Sequence, residues 1–257
     1  MISTAQRRLE IVNLTQDKGQ VSINDLCAQY GVSSVTIRND IKELHSKGLI
    51  IQSRGGALKN NRLTQELSIR EKSGENILIK QRLGKMVSEL ISDGESIILD
   101  SGTTTLEVAH CLSNHKNLVV MTNGLNVAVE LSKIEDIEVL ITGGKLRRKS
   151  QSFYGRQAEE SLHNLRFNKA IIGVDGFDIN SGITTYFEPE ACLNRLMCET
   201  AAEVIAVTDS SKFNRHSLHL IRPLSKISTV VTDDGISKEH LRVLTQQGIK
   251  VLLVKND

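Results

Sequence analysis

Three short amphipathic helices are predicted at the start of the chain from the spacing of its apolar residues. The first spans Thr4–Thr15 and ends before Gly19. Ser22 is suited to cap the second helix and Ser33 or Ser34 the third, with Gly31 allowing a sharp turn between them. The residues predicted to face inward are Ala5, Leu9 and Val12 in the first helix, Ile23, Leu26 and Cys27 in the second, and Ile37, Ile41 and Leu44 in the third.

A small β-hairpin is predicted after the third helix. Leu49 to Ile51 form a short apolar strand, and residues 52–56 contain the Arg-Gly-Gly of a tight turn that returns into Ala57 and Leu58. Three helices followed by a hairpin are typical of a winged helix-turn-helix. The donors placed to contact DNA are Ser34, Thr36, Arg38, Asn39 and Lys42 on the third helix and Arg54 on the wing. The pattern alone also fits a helical dimerisation module whose polar face is merely solvated.

Seven short β-rich runs alternate with amphipathic helices from residue 77 onward. They lie at residues 96–100, 118–122, 138–142, 170–174, 204–208, 229–232 and 251–254. Because the runs are almost continuously apolar, they predict a mainly parallel sheet covered on both faces, a Rossmann-like α/β domain. Residues 59–76 lack a strand period and are predicted to be a linker, part of which can be helical and pack on the body. The predicted domains are therefore 1–58 and 77–257.

The first strand of the body ends in a candidate anion site. The sequence Asp100-Ser101-Gly102-Thr103-Thr104-Thr105 supplies one glycine, four hydroxyls and the start of a helix. Glycine lets the backbone approach an anion, and a helix N-terminus offers free amides. Neither a Walker loop nor a dinucleotide fingerprint is present. An ordinary strand-to-helix cap is the simpler alternative.

Small and polar residues also follow the later strands. The further candidates for effector binding are Thr122, Asn123, Gly143, Gly144, Lys145, Asp175, Gly176, Glu188 and Lys212. One Gly-Gly or Asp-Gly pair is usually only a turn, but several at the ends of one sheet predict a shared cleft. Lys212 is the expected phosphate anchor, and Asp100, Asp175 and Glu188 are expected to accept hydrogen bonds from sugar hydroxyls.

The overall composition narrows the class of protein. The 257 residues are 39% hydrophobic, with a formal net charge of +2, and no run is long and apolar enough to cross a bilayer. The first 60 residues carry eight Lys or Arg against five Asp or Glu, a mild basic excess that suits a polyanion. Four scattered cysteines predict free thiols rather than disulfides or a metal site. We therefore expect a cytoplasmic protein without a membrane partner, metal or cofactor.

The stretch Val32 to Ile41, continued by Gly48-Leu49-Ile50 and Arg54-Gly55-Gly56-Ala57, resembles the DNA-binding head of the DeoR family of bacterial transcriptional regulators. That family commonly has a second arginine where this chain has Asn39. Asp40, the next residue, is expected to pair with a Lys or Arg of the same domain.

The rest of the chain resembles the effector domain of the same family, which is similar to ribose-5-phosphate isomerases and glucosamine-6-phosphate deaminases. The resemblance rests on Asp-Ser-Gly-Thr-Thr-Thr, Thr-Asn, Thr-Gly-Gly, Asp-Gly and Asp-Ser-Ser-Lys-Phe, in that order. It implies a repressor that binds double-stranded operator DNA as a homodimer or homotetramer and is released by a sugar phosphate. Longer strings, such as Ser150 to Gly155 and Val207 to Arg215, resemble family members that repress catabolism of galactosamine and N-acetylgalactosamine.

Two other functions remain open from the residues alone. Asp175-Gly176-Phe177-Asp178 resembles a motif of the isomerases, and Lys212 with Asp175 could serve as acid and base in an enzyme with a regulatory DNA-binding head. No histidine is placed by a motif to open a sugar ring. Alternatively, the α/β body could serve oligomerisation only, in which case no phosphosugar would bind.

Overall fold

The structure is a computed structural model that describes residues 3–46, 49–59 and 67–256. The chain forms two compact units, one of residues 1–65 and 215–217 and the other of residues 66–214 and 218–257, so the main boundary along the sequence lies between residues 65 and 66. This boundary falls inside the predicted linker, whereas the exact limits at residues 58 and 76 stay predictions. Part of the linker, residues 60–66, lies outside the described residues.

The N-terminal unit consists of three helices and a three-stranded antiparallel sheet. Its elements are α1 (Thr4–Lys18), β1 (Gln20–Ser22), α2 (Ile23–Tyr30), α3 (Ser34–Ser46), β2 (Ile50–Ser53) and β3 (Gly56–Lys59). The predicted caps are confirmed, because the Ser22 hydroxyl accepts from the Asp25 amide at 3.1 Å and the Ser33 hydroxyl from the Thr36 amide at 3.2 Å. Gly31 ends α2 with a left-handed φ of 64°.

The predicted wing is confirmed, with strands slightly shifted along the chain. β2 and β3 pair antiparallel around a turn at Arg54 and Gly55, and β1 adds a third strand on the other side of β3. The sequence did not predict β1, because a strand of three residues leaves almost no periodic signal.

The buried face of α1 differs in part from the prediction. Val12 is buried as predicted, but Leu9 is 38% exposed, whereas Ile11 and Thr15 are fully buried and Arg7 is 6% exposed. The buried stripe therefore runs through positions 7, 11 and 15, at the four-residue helical spacing, with Val12 beside it. Arg7 is accommodated there because its Nε donates to Asp40 at 2.7 Å, which confirms the pairing expected for Asp40.

The other inward residues of this unit follow the predictions with one exception. Ile23, Leu26, Ile37, Ile41 and Leu44 are buried. Cys27 is only partly buried, and the side chain of Ala5 lies outside the described residues.

The C-terminal unit is built on a seven-stranded parallel sheet, which confirms the predicted fold class. The strands are β4 (Ser96–Leu99), β5 (Leu118–Thr122), β6 (Ile137–Ile141), β9 (Phe167–Gly173), β12 (Ala201–Val207), β14 (Thr229–Asp233) and β15 (Lys250–Val254). Their spatial order is β15-β14-β12-β9-β4-β5-β6. The order runs outward in both directions from the neighbours β4 and β9, so the chain reverses its direction of winding between these two strands.

Helices cover both faces of this sheet and enclose two apolar cores. The helices are α4 (Ile69–Ser73), α5 (Ile77–Ser88), α6 (Thr103–His110), α7 (Leu125–Leu131), α8 (Arg156–Glu160), α9 (Glu188–Thr200) and α10 (Lys238–Gln246). None of the helices in the described ranges is long and apolar enough to cross a membrane.

Two smaller sheets were not predicted. A hairpin joins β7 (Lys145–Arg147) to β8 (Ser152–Tyr154), and an antiparallel sheet joins β10 (Gly176–Asp178), β11 (Gly182–Thr185) and β13 (His219–Arg222). Each strand has only three or four residues, too few for a reliable alternation of apolar and polar positions.

Candidate functional site

A cleft opens at the carboxyl ends of β12, β9 and β4, three neighbouring strands of the parallel sheet. It includes the point between β4 and β9 where the order of strands reverses, which is where open α/β sheets usually bind ligands. Its empty volume is about 790 Å³, which includes space that is open to solvent. The polar and charged residues that line it are Lys72, Lys80, Asp100, Ser101, Thr103, Thr104, Thr105, Ser150, Asp175, Thr185, Glu190, Asn194, Thr208, Asp209 and Lys212.

The predicted anion loop forms one wall of this cleft. The Ser101 amide donates to Asp100 Oδ1 and to Asn123 Oδ1, both at 2.8 Å, which fixes the turn between β4 and α6. Gly102 caps α6 with a φ of 147°, a conformation that favours glycine. Helix α6 therefore begins at Thr103 and directs its N-terminal end to the cleft.

Two buried polar atoms in the cleft wall have no protein hydrogen-bond partner among the described residues. They are Thr105 Oγ1 and Asn194 Oδ1. Because an unsatisfied buried polar atom is costly, such atoms favour a site that a water or a polar ligand completes.

Three lysines from separate segments converge on the cleft. Lys72 Nζ lies 2.5 Å from Asp175 Oδ1, and Lys212 Nζ lies 3.9 Å from Glu75 Oε2. Lys80 is buried and donates to the Lys72 carbonyl at 2.5 Å. Burial lowers the pKa of Lys80, and the nearby carboxylate of Asp209 opposes this effect. A cluster of cations beside a helix N-terminus is suited to bind an anion.

Carboxyl groups face the lysines, and their environments differ. Burial alone would raise the pKa of Asp175, but the charge and hydrogen bond of Lys72 lower it below its usual value. Burial and the charge of Glu190 instead raise the pKa of Asp100 to about 8. Asp100 is therefore mostly neutral at pH 7 and Asp175 is ionised.

Glu190 connects the cleft to the β7–β8 hairpin. Its Oε1 accepts from the hydroxyls of Ser150, at 2.5 Å, and Ser152. Arg147 Nη1 lies 3.4 Å from Glu190 Oε2, and its guanidinium stacks 4.4 Å from the centre of the Phe187 ring. Arg147 therefore lies at a contact within the C-terminal unit.

The structure brings eight of the predicted effector residues together. Asp100, Ser101, Gly102, Thr103, Thr104, Thr105, Asp175 and Lys212 line the cleft. The rest are elsewhere: Thr122 and Asn123 are buried behind the anion loop, Gly143 and Gly176 do not line the cleft, and Gly144, Lys145 and Glu188 border a separate depression beside Cys192.

Several lining residues were missed by the sequence analysis. They are Lys72, Lys80, Ser150, Thr185, Glu190 and Asn194. The four-residue spacing of Glu190 and Asn194 on α9 could have been noticed, since it places two polar side chains on one face of a helix.

The N-terminal unit presents its predicted DNA-binding residues at the surface. Ser34, Arg38, Asn39, Lys42 and Arg54 are exposed. Thr36 is only partly exposed, and its hydroxyl lies 3.0 Å from that of Ser33 at the start of α3.

The four cysteines are free thiols, as predicted; Cys198 is buried and the other three are partly buried. In the described part of the chain, no group of three or more His, Cys, Asp or Glu residues is arranged to hold a metal ion.

Comparison with known proteins agrees with this architecture. Residues 7–62 match the model of the DeoR-like helix-turn-helix domain, and residues 75–234 match that of the DeoR C terminal sensor domain. A protein named aga operon transcriptional repressor in Escherichia coli O157:H7 is 47% identical over 98% of this chain and 94% of its own length. The HTH-type transcriptional regulator GlpR of Haloferax volcanii is 34% identical over 96% of this chain and 97% of its own.

Among solved structures, ribose 5-phosphate isomerase A from Methanocaldococcus jannaschii aligns with a TM-score of 0.41 at 16% identity, covering 54% of this chain and 55% of its own. The family models and the near full-length relatives confirm the resemblance in both units. The chain belongs to the DeoR family of DNA-binding transcriptional repressors.

Proposed function

We propose that this repressor controls an operon for amino-sugar catabolism and that a phosphorylated sugar in the cleft releases it from its operator. The observation that carries the proposal is the convergence of Lys72, Lys80 and Lys212 on a hydroxyl-lined helix N-terminus. A phosphate dianion matches this set of donors.

Hydrogen-bond acceptors in the same cleft support a sugar as the rest of the ligand. Asp175 is an ionised acceptor, and Asn194 Oδ1 is a buried acceptor with no partner in the described part of the protein. Sugar hydroxyls are the donors that such acceptors require. Assignment to galactosamine or N-acetylgalactosamine rests on the resemblance of the strings Ser150 to Gly155 and Val207 to Arg215 to family members that repress catabolism of these sugars.

The release mechanism is allosteric. A homodimer or homotetramer presents paired α3 helices to half-sites about 34 Å apart, so a small rotation is enough to break the match. A tenfold loss of operator affinity requires the ligand to prefer the non-binding state by about 1.4 kcal/mol. One charge-assisted hydrogen bond from Lys212 is of this size.

Replacing Lys212 with methionine tests this proposal. Because Lys212 lies in the sensor unit, Lys212→Met should leave operator affinity unchanged but raise the effector concentration needed for release at least tenfold. Calorimetric titration with galactosamine 6-phosphate and N-acetylgalactosamine 6-phosphate, followed by gel shifts with the same compounds, measures both quantities. Lys226→Met is the matched control, since Lys226 also ends a short 3-10 helix but is exposed and outside the cleft.

A Lys212→Met protein that is released as readily as the wild type would contradict the role of this lysine. Wild-type protein that binds no hexosamine phosphate would contradict the sensor function itself and favour a body used only for oligomerisation.

We propose no catalytic activity for the cleft. Asp175 and Lys212 were the candidate acid and base, but Asp175 is held by Lys72 and by the Thr185 hydroxyl at 2.9 Å. Turnover of ribose 5-phosphate or a hexosamine 6-phosphate by the pure protein would contradict this statement.

A further inference from the structure

The surface of α3 contains an apolar residue among the predicted hydrogen-bond donors. Val35 is 65% exposed. Ile37, Ile41 and Leu44 of the same helix are buried and supply the apolar side chains that α3 contributes to the core. Val35 is not part of this core.

Val35 shares a face with the residues best placed to contact bases. Arg38 and Asn39 follow it at spacings of three and four residues, which are neighbouring positions on a helix, and both are exposed. Val35 is the second residue of α3, and the N-terminal residues of a recognition helix are those that contact base edges.

The chemistry of the major groove identifies the group that a valine can contact there. Base edges carry hydrogen-bond donors and acceptors, and the only apolar group among them is the 5-methyl group of thymine. A valine cannot satisfy a donor or an acceptor and would leave it unpaired and desolvated, which costs affinity. Burial of its methyl groups against a thymine methyl removes apolar surface of both from water.

From this placement we propose that Val35 is a specificity-determining residue that contacts a thymine methyl group in each operator half-site. The contact adds apolar discrimination between thymine and cytosine to the hydrogen-bond readout by Arg38 and Asn39. It rests on DNA binding through α3 and is independent of the effector.

The test uses full-length protein and the tightest duplex that the wild type selects from a randomised library by repeated gel shift. Each thymine of that duplex is replaced in turn by deoxyuridine, which removes the methyl group and keeps the base pair. We expect the wild type to lose about fourfold in affinity at one thymine per half-site, the equivalent of burying about one methyl group.

Variants assign this loss to Val35. Val35→Ala should bind the thymine duplex about as weakly as the wild type binds a duplex with deoxyuridine at the sensitive position of both half-sites, with no further loss on uracil substitution. Val35→Ile keeps the branched side chain and should keep the sensitivity. Val129→Ala is the matched control, because Val129 is 55% exposed but lies on α7, and it should behave as the wild type.

Thermal unfolding of each variant should be close to that of the wild type, since both valines are largely exposed. The proposal would be overturned if uracil substitution weakened binding of Val35→Ala and of the wild type equally at every thymine. It would also be overturned if no uracil substitution weakened binding of the wild type. If hexosamine phosphates failed to release the protein while the ratios of thymine-duplex to uracil-duplex affinity were as expected, only the sensor function would be contradicted.

Discussion

At the scale of single residues, Asp100 shows how a carboxyl group can be part of the proposed anion site. An ionised carboxylate would repel a phosphate dianion, and the N-terminus of α6 is only a few residues away. Burial and Glu190 raise the pKa of Asp100 to about 8, so the group is neutral at pH 7 and its repulsion is absent. Asn194 Nδ2 lies 3.2 Å from Asp100 Oδ2 and holds the side chain in place.

This environment predicts a pH optimum for effector binding. Affinity should rise as the phosphate forms its dianion near pH 6 and fall again above about pH 8, where Asp100 ionises beside the ligand. The bound dianion favours neutral Asp100 and so raises its pKa in the complex; the fall therefore begins near the pKa of the free protein, about 8, and levels off above the pKa of the complex. Calorimetric titrations between about pH 5.5 and about pH 9.5 would measure effector affinity on both sides of these two pH values.

Asp100→Asn separates this effect from deprotonation of a lysine. The amide cannot ionise, so the variant should keep the rise near pH 6 and lose the fall above pH 8. Burial also lowers the pKa of Lys80, and loss of its proton would weaken binding in both proteins. An unchanged fall in Asp100→Asn would therefore assign it to Lys80 and contradict the role of Asp100.

At the scale of elements, the position of the anion loop depends on close packing of α5 against α6. Gly84 on α5 lies so near α6 that an added Cβ would be 2.5 Å from the carbonyl carbon and oxygen of Glu107. Two backbones can approach this closely only where one residue has no side chain. The same helix α6 presents Thr103 to Thr105 to the cleft, so its placement affects the site.

Gly84→Ala should therefore destabilise the protein although alanine is the better helix former. The clash with backbone costs about 1–3 kcal/mol, and the gain in helix propensity offsets about 1 kcal/mol of it. Urea denaturation measures the net change, which we expect to be a loss. In Gly74→Ala the nearest atom lies 3.8 Å away and φ is −80°, so this control should be neutral or slightly stabilising.

An unchanged or higher free energy of unfolding for Gly84→Ala would show that α5 and α6 can separate without cost. A loss of effector affinity in the same variant, with Gly74→Ala unaffected, would link the spacing of these helices to the anion loop.

Elements with a periodic or continuous apolar pattern were predictable from the sequence, and short strands without such a pattern, such as β1 and β7, were not. The seven strands of the parallel sheet lie within a few residues of their predicted positions because each is a continuous apolar run.

Lys80 illustrates which residues of the site could not be predicted from the sequence. A lysine in a helix is usually solvated, and only the three-dimensional arrangement shows that this one is buried and bonded to the Lys72 carbonyl. Likewise, Leu9 fitted the helical spacing but is exposed, whereas Arg7, which pairs with Asp40, is buried.

At the scale of the whole molecule, the DeoR-like helix-turn-helix domain and the DeoR C terminal sensor domain fall largely in separate compact units of one chain. Coupling between two sites is a free energy shared by both, so it must act equally in the two directions. If the effector lowers operator affinity by some factor, operator DNA must lower effector affinity by the same factor. A repressor of this type therefore has one coupling constant, which can be measured from either site.

Arg38→Ala should separate intrinsic effector binding from this coupling. Arg38 is exposed on α3, so its loss should weaken operator binding by about one charged hydrogen bond, roughly tenfold, without changing effector affinity in the absence of DNA. Calorimetry of wild type with and without operator gives the coupling factor from the effector side, and gel shifts at saturating effector give it from the DNA side. We expect the two factors to be equal in the wild type and the effector affinity of DNA-free Arg38→Ala to be unchanged.

Reciprocity is a thermodynamic necessity, so unequal factors would mean that the effector acts outside the equilibrium between these two sites. An altered effector affinity of DNA-free Arg38→Ala would contradict the assignment of the two functions to separate units.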